Sequence, residues 1–273
     1  KYDPELYIPN PAWEGEDSLL SEYLKSDKSL LALSGGQGSG KSALAAHMAQ
    51  KCRNQGHTVL FFNAQRLTYA DVKWSENPVP DFLENLLSYN SGLDAKGMQR
   101  LAKQAPTDKK IVIFFDAINE VDSIKNKWNP FRALREILSW VSASANPNLK
   151  FVLSFRLDLY QEFDYLKDYN LPDNIVSISF SGTNKEHPWI HDLESFSQDQ
   201  AKSLYEKLQQ LPERCMAPAM NWSYIQEQLG DQFRQYTENP LLFTIFLQAH
   251  HQSDKILVQD QEELFITYAD QLT

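Results

Sequence analysis

At 273 residues, with 42% hydrophobic and 23% charged side chains, the chain can bury one large core or two modest ones and has an ordinary globular composition. A formal net charge of −10 argues against a broad nucleic-acid surface, although a local basic patch stays open, and no apolar run approaches bilayer-spanning length. Cys52 and Cys215 lie far apart without metal-ligand spacing, which suits a reducing, cytoplasmic setting.

The chain opens on an extended aromatic entry, Tyr2, Tyr7, Ile8, Pro9, Pro11 and Trp13, before a helix over 17–25 marked by Leu19, Leu20, Tyr23 and Leu24. The apolar run Leu30 to Leu33 then stops at Ser34 and gives way to Gly35-Gly36-Gln37-Gly38-Ser39-Gly40-Lys41-Ser42. From Ser42 on, Ala43, Leu44, Ala45, Ala46, Met48 and Ala49 form a helix. Strand, glycine loop and helix fit the phosphate-binding pattern G-x-x-x-x-G-K-[ST] without a mismatch. Glycines let the backbone turn its N–H groups toward a phosphate chain, and the helix that follows presents its positive end to the anion. The stretch from Gly35 to Ala43 is therefore read as the cradle of a nucleoside triphosphate. Lys41 is expected to reach the β- and γ-phosphates and Ser42 to ligate Mg²⁺. The entry aromatics either pack against the first strand or place Ile8 against the nucleotide base.

Gln55-Gly56-His57 stops that helix, with His57 a turn residue, and Thr58 to Asn63 reads as a buried strand. Residues 68–80 read as a loop, and helices are expected over 81–89 and 94–104. Lys110 to Phe115 is continuously apolar after its first residue, as befits a central strand of a parallel sheet, and it runs into Asp116-Ala117-Ile118-Asn119-Glu120. Ligands gather at the carboxyl ends of such strands. Asp116 is thus placed to hold Mg²⁺ through water opposite Ser42, and Glu120 to orient or activate a water near the γ-phosphate. The plainer reading makes Asp116 a turn cap and Glu120 a solvated carboxylate.

A helix is expected over 130–144, then a strand over 150–155 ended by Arg156. If that strand lies between the loop strand and the Asp116 strand, Arg156 points at the γ-phosphate; otherwise it pairs with Asp158 or Glu162. Asn174 to Phe180 is expected to supply a fifth strand. Beyond about residue 190 only helices are expected: one opened by Ser197 as N-cap, one over 224–236, one with Pro240 in its first turn, and one starting near Gln259. The expected division is a nucleotide-binding domain over 1–192 and a helical domain over 193–273. The start at Lys1 and a final helix still under way suggest a piece of a longer protein.

The phosphate loop, the run Phe114 to Glu120, Ser154-Phe155-Arg156 and Glu238-Asn239-Pro240-Leu241-Leu242 together resemble the NACHT-type module of the STAND signalling ATPases. The resemblance implies an α/β P-loop NTPase fold: a five-stranded parallel sheet flanked by helices, of the additional-strand, AAA-like type, followed by a small all-α domain. It also implies ATP or ADP with Mg²⁺ as cofactors, slow hydrolysis, and Pro240 on or near the adenine. Such proteins switch from an ADP-held monomer to an ATP-bound assembly once a sensor domain meets a trigger, and so control an attached effector in antiviral defence or innate immunity. Sensor and effector would lie outside this stretch. Two features depart from the pattern: Asn119 where many relatives have aspartate, and Glu238 where many have glycine. His250 and His251 read as polar helix-end residues. Other readings are an AAA-like mechanical ATPase acting on DNA or protein, with Arg132, Arg135 or Arg234 as a finger, a small-molecule kinase, and a non-hydrolysing scaffold.

Overall fold

The computed structural model describes residues 3–15, 18–64, 95–118, 146–156, 190–193, 195–211, 219–251, 253–256 and 260–271. The chain divides into two compact units. One comprises Pro11–Gly36 and Lys41–Leu193; the other comprises Lys1–Asn10, Gln37–Gly40 and Glu194–Thr273.

The first unit is built on a sheet of β1 (Leu30–Ser34), β2 (Thr58–Asn63), β3 (Ile111–Asp116), β4 (Leu149–Ser154) and β5 (Ile190–Asp192), in the order β2-β3-β4-β1-β5. Every pairing is parallel. Every residue of β1, β3 and β4 is buried, as strands covered on both faces require, whereas β2, expected to be buried, stands at the edge of the sheet among the described residues and exposes part of its length. Aromatic pairs tie that edge down: Phe61 stacks on Phe114 and Phe62 on Phe115, with ring centroids 5.8 and 5.2 Å apart. β1 to β4 are the strands expected from their apolar runs. The fifth strand of the described sheet is the three-residue β5 beside β1, which was not expected, while the expected strand over 174–180 lies outside the described residues. The helices expected over 81–89 and 130–144 lie outside them too.

Helix α1 (Leu19–Lys25) starts at Ser18, whose hydroxyl accepts from Ser21 N–H, and it buries Leu19, Leu20, Tyr23 and Leu24. Helix α2 (Lys41–Asn54) buries Leu44, Ala45, Met48 and Cys52 against the same core as Leu31, Leu33, Val112, Phe114 and Val152. It stops at Gly56, in the left-handed region at φ 79°. His57 is the turn residue expected, its Nδ1 accepting from Lys110 N–H at 3.1 Å. Helix α3 (Ala95–Gln104) precedes β3.

The second unit is helical apart from its short segments. Helix α4 (Gln198–Gln209) begins with a full capping box: Ser197 Oγ accepts from Gln200 N–H, and the Gln200 side chain accepts from Ser197 N–H. The single helix expected over 224–236 is two, α5 (Trp222–Leu229) and α6 (Gln232–Thr237). Gly230, at φ 49° and ψ −121°, breaks it by taking a positive-φ conformation that residues with a side chain rarely adopt. Helix α7 (Pro240–Ala249) has Pro240 at its start, and α8 (Gln261–Gln271) follows Asp260, whose carboxylate accepts from Glu262 and Glu263 N–H. Leu204, Leu208, Phe233, Phe243, Phe246 and Leu264 are among the residues filling this unit's core. Among the described residues no helix is long and apolar enough to cross a membrane.

Candidate nucleotide site

Parallel pairing brings the carboxyl ends of β2, β3 and β4 together, because all of them run the same way. The polar residue that closes each strand meets the others there. Asp116, buried at the end of β3, accepts from Ser154 Oγ at 2.5 Å and from Ser42 Oγ at 3.0 Å on Oδ1. Its Oδ2 accepts from Asn63 Nδ2 at 3.1 Å. A buried carboxylate held this way keeps one orientation, since turning it would leave charge without donors. Ser154 also accepts from Ala117 N–H at 2.9 Å, and its carbonyl takes Ile118 N–H at 3.1 Å. Those two bonds secure the turn after Asp116, where Ala117 sits at φ 60° in the left-handed region that a non-glycine residue seldom adopts.

Lys41 opens α2 and is buried, its ammonium donating to the carbonyls of Gly35 at 3.0 Å and Gly36 at 2.9 Å. The loop before it is bent at Gly38 (φ 77°) and Gly40 (φ 91°). Within the loop, Ser39 Oγ is buried and has no hydrogen-bond partner among the described residues. At the strand ends the same holds for Asn63 Oδ1. In the sheet unit, that orphaned amide oxygen, a buried ammonium and a hydroxyl–carboxylate pair form a polar lining that suits a phosphate chain with its cation. The cation would take Ser42 and Asp116.

The structure brings Lys41, Ser42 and Asp116 into one place. Arg156 follows the end of β4, two residues beyond Ser154, and is half-buried. β4 does lie between β1 and β3, the condition set for that arginine's role. Glu120, Arg132 and Arg135 lie outside the described residues. Arg234 is paired with Glu238 four residues on, so the glutamate that departs from the NACHT pattern has a local partner. Pro240 packs with its Cγ 3.8 Å from where a Cβ on Gly40 would stand. Ile8 is buried in the helical core with Phe243 and Phe246, which accounts for its burial without a ligand. His250 lies at the end of α7, as its sequence setting suggested; it is buried, and its Nδ1 hydrogen-bonds Phe246 O.

Sequence reasoning missed Ser154 and Asn63. The signal was available: each is the polar residue that ends an apolar strand aligned with the Asp116 strand, and such positions collect at the ligand-facing edge of an α/β sheet.

Parallel sheet, inserted β4 and glycine loop define a P-loop nucleotide-binding module of the α/β class. The chain belongs to the NACHT family, whose domain model matches residues 29–212. One solved structure agrees on the fold, and two more are similar at lower scores. The Aeropyrum pernix ORC2 protein, solved as ADPNP and ADP complexes, aligns over 99% of this chain and 72% of its own at 11% identity and a TM-score of 0.51. PCH-2 of C. elegans aligns over 93% of this chain at 12% identity and a TM-score of 0.44, and this chain spans 66% of its length. A HORMA:CdnC:Trip13 complex from E. coli MS115-1 aligns over 89% of this chain and 74% of its own, at 13% identity and a TM-score of 0.44. No curated protein matches the chain.

Proposed function

We propose that this NACHT module is a nucleotide-dependent signalling switch. It binds ADP and ATP with Mg²⁺, hydrolyses ATP slowly, and controls self-assembly and an effector outside this stretch, in the cytoplasm, in antiviral defence or innate immunity. Lys41 and the loop amides from Gly35 to Ala43 grip the phosphates, while Ser42 and Asp116 hold the ion. Glu120 positions the attacking water, Arg156 reads the γ-phosphate, and Ile8 and Pro240 flank the base. In this reading residues 1–192 form the nucleotide-binding domain and 193–273 the helical one.

One observation carries the proposal: the Asp116 carboxylate, fixed by Ser154 and Asn63, stands 3.0 Å from the Ser42 hydroxyl in the first turn of α2. A hydroxyl and a carboxylate so placed make a hard-oxygen corner for a cation that bridges phosphates.

The test is to purify the protein, identify any nucleotide that co-purifies, and measure ADP and ATP binding and turnover beside a Lys41→Ala variant. Tightly held ADP, turnover far below the 1–10³ s⁻¹ typical of enzymes, and loss of binding in a folded Lys41→Ala chain are expected. Rapid turnover stimulated by DNA or peptide would replace the switch with a mechanical ATPase. Unchanged affinity in Lys41→Ala would remove the phosphate-loop assignment.

A further inference from the structure

The phosphate-binding pattern requires glycine at positions 35 and 40 and leaves position 38 open, yet Gly38 is there, at φ 77°. Its surroundings give a reason. A Cβ on Gly38 would stand 2.5 Å from Asn239 Oδ1, closer than real atoms approach, and 3.0 Å from Leu241 Cβ, a tight contact. Gln37–Gly40 and Asn239 belong to the same compact unit.

Asn239 makes two different kinds of contact. Its Oδ1 caps α7, accepting from the N–H groups of Leu241 and Leu242 at 3.1 Å each. Its Nδ2 donates to the carbonyl of Gln37 at 3.0 Å, and Leu241 N–H is also directed at the carbonyl of Gly38, at 3.4 Å. Both acceptors are loop carbonyls. A trans peptide points its N–H opposite to its C=O. Holding the carbonyls of Gln37 and Gly38 on the α7 side therefore turns the N–H groups of Gly38 and Ser39 the other way, as a phosphate cradle needs.

The geometry points to Asn239 as a positioning residue for the phosphate loop, fixing the Gln37–Gly38 peptide plane through a donor that helix capping does not use, beside the Leu241 N–H that faces the next carbonyl, with Gly38 as the residue whose missing side chain permits the approach. Preformed donors spare the ligand the cost of ordering the loop. The inference rests on the phosphate-binding reading of the loop.

Asn239→Ser and Asn239→Asp separate the two contacts, because serine and aspartate both keep a capping oxygen while losing the amide donor. ADP affinity, melting temperature, and ¹⁵N relaxation dispersion of the Gly38 and Gly40 amides in nucleotide-free protein are compared with wild type. Asn239→Ser is expected to keep the melting temperature, to weaken ADP about three- to tenfold, and to raise exchange broadening at the two glycines. Asn239→Asp, which sets a carboxylate beside the Gln37 carbonyl, is expected to raise it further. Unchanged affinity, or a lower melting temperature with unchanged glycine relaxation, would reduce Asn239 to a cap and overturn the assignment. Wild-type protein that ignores millimolar ADP would instead sink the phosphate reading, and glycine relaxation would still decide whether Asn239 holds the loop.

Discussion

Lys150 is a cation set inside the sheet unit, where its surroundings disfavour charge. It lies on β4, fully buried, and burial together with the neighbouring Lys110 pushes its pKa down from 10.5 to about 7. Its Nζ donates to the carbonyls of Ser26 at 2.7 Å and Lys28 at 2.5 Å and lies 5.0 Å from the centre of the Tyr23 ring, contacts that favour the charged form and offset part of the penalty. Because the folded pKa is the lower one, the unfolded chain holds the extra proton between about pH 7 and pH 10.5. Stability therefore rises with pH across that window, and the penalty is fully present below pH 7. Denaturant unfolding at pH 7 and pH 9 is expected to show that rise, at no more than about 1.4 kcal/mol per pH unit for one proton. Lys150→Met should remove most of the slope. Stopping at pH 9 avoids Tyr23, whose buried hydroxyl is held well above its usual pKa and acts in the opposite sense at higher pH. An identical slope in wild type and variant would assign the titration elsewhere.

Elements formed where local signals agreed. β1 to β4 were legible as apolar runs, α4 through its cap residue, and α7 through Pro240, since each is set by side chains within the element. Ser197→Ala should accordingly cost about 1 kcal/mol, read as a drop in the urea midpoint, because it leaves N–H groups at the start of α4 without their acceptor. A loss below a few tenths would mean that water caps the helix equally well. The α5–α6 break was less legible: 224–236 has helical spacing throughout, and a lone glycine is often tolerated within a helix, so the positive φ at Gly230 depends on how the two pieces pack. β5 carried too short an apolar signal to stand out; its pairing with β1 is a tertiary event. The site divides along the same line. Lys41, Ser42 and Asp116 were singled out from motif and strand end, whereas the bonds of Ser154 and Asn63 to Asp116 depend on which strands are neighbours. Only the pairing β2-β3-β4 settles that.

For the molecule to act as a switch, ATP and ADP must bind its states with different free energies, because a ligand of equal affinity for two arrangements shifts neither. The difference between the two nucleotides is one phosphate, so the switch has to reside in groups that meet the γ-phosphate and miss the others. In the proposed site the loop amides would grip phosphates that both nucleotides share and supply affinity with little discrimination, while Lys41 would span the β- and γ-phosphates and so carry only part of the difference. Arg156 is the cation suited to discriminate: it follows β4, the strand next to the one that ends in Asp116, and a guanidinium matches a terminal phosphate with paired donors. Arg156→Ala is expected to weaken ATP by about tenfold or more, the scale of a charge-assisted bond, and ADP by less than about twofold. Calorimetric titration of both nucleotides against wild type and variant reads this directly. The same variant should narrow the gap between the melting temperatures in saturating ATP and ADP, since ligand-linked stability follows the logarithm of affinity. Equal losses for the two nucleotides would move the discriminating contact to another residue and leave Arg156 as a general phosphate-binding charge.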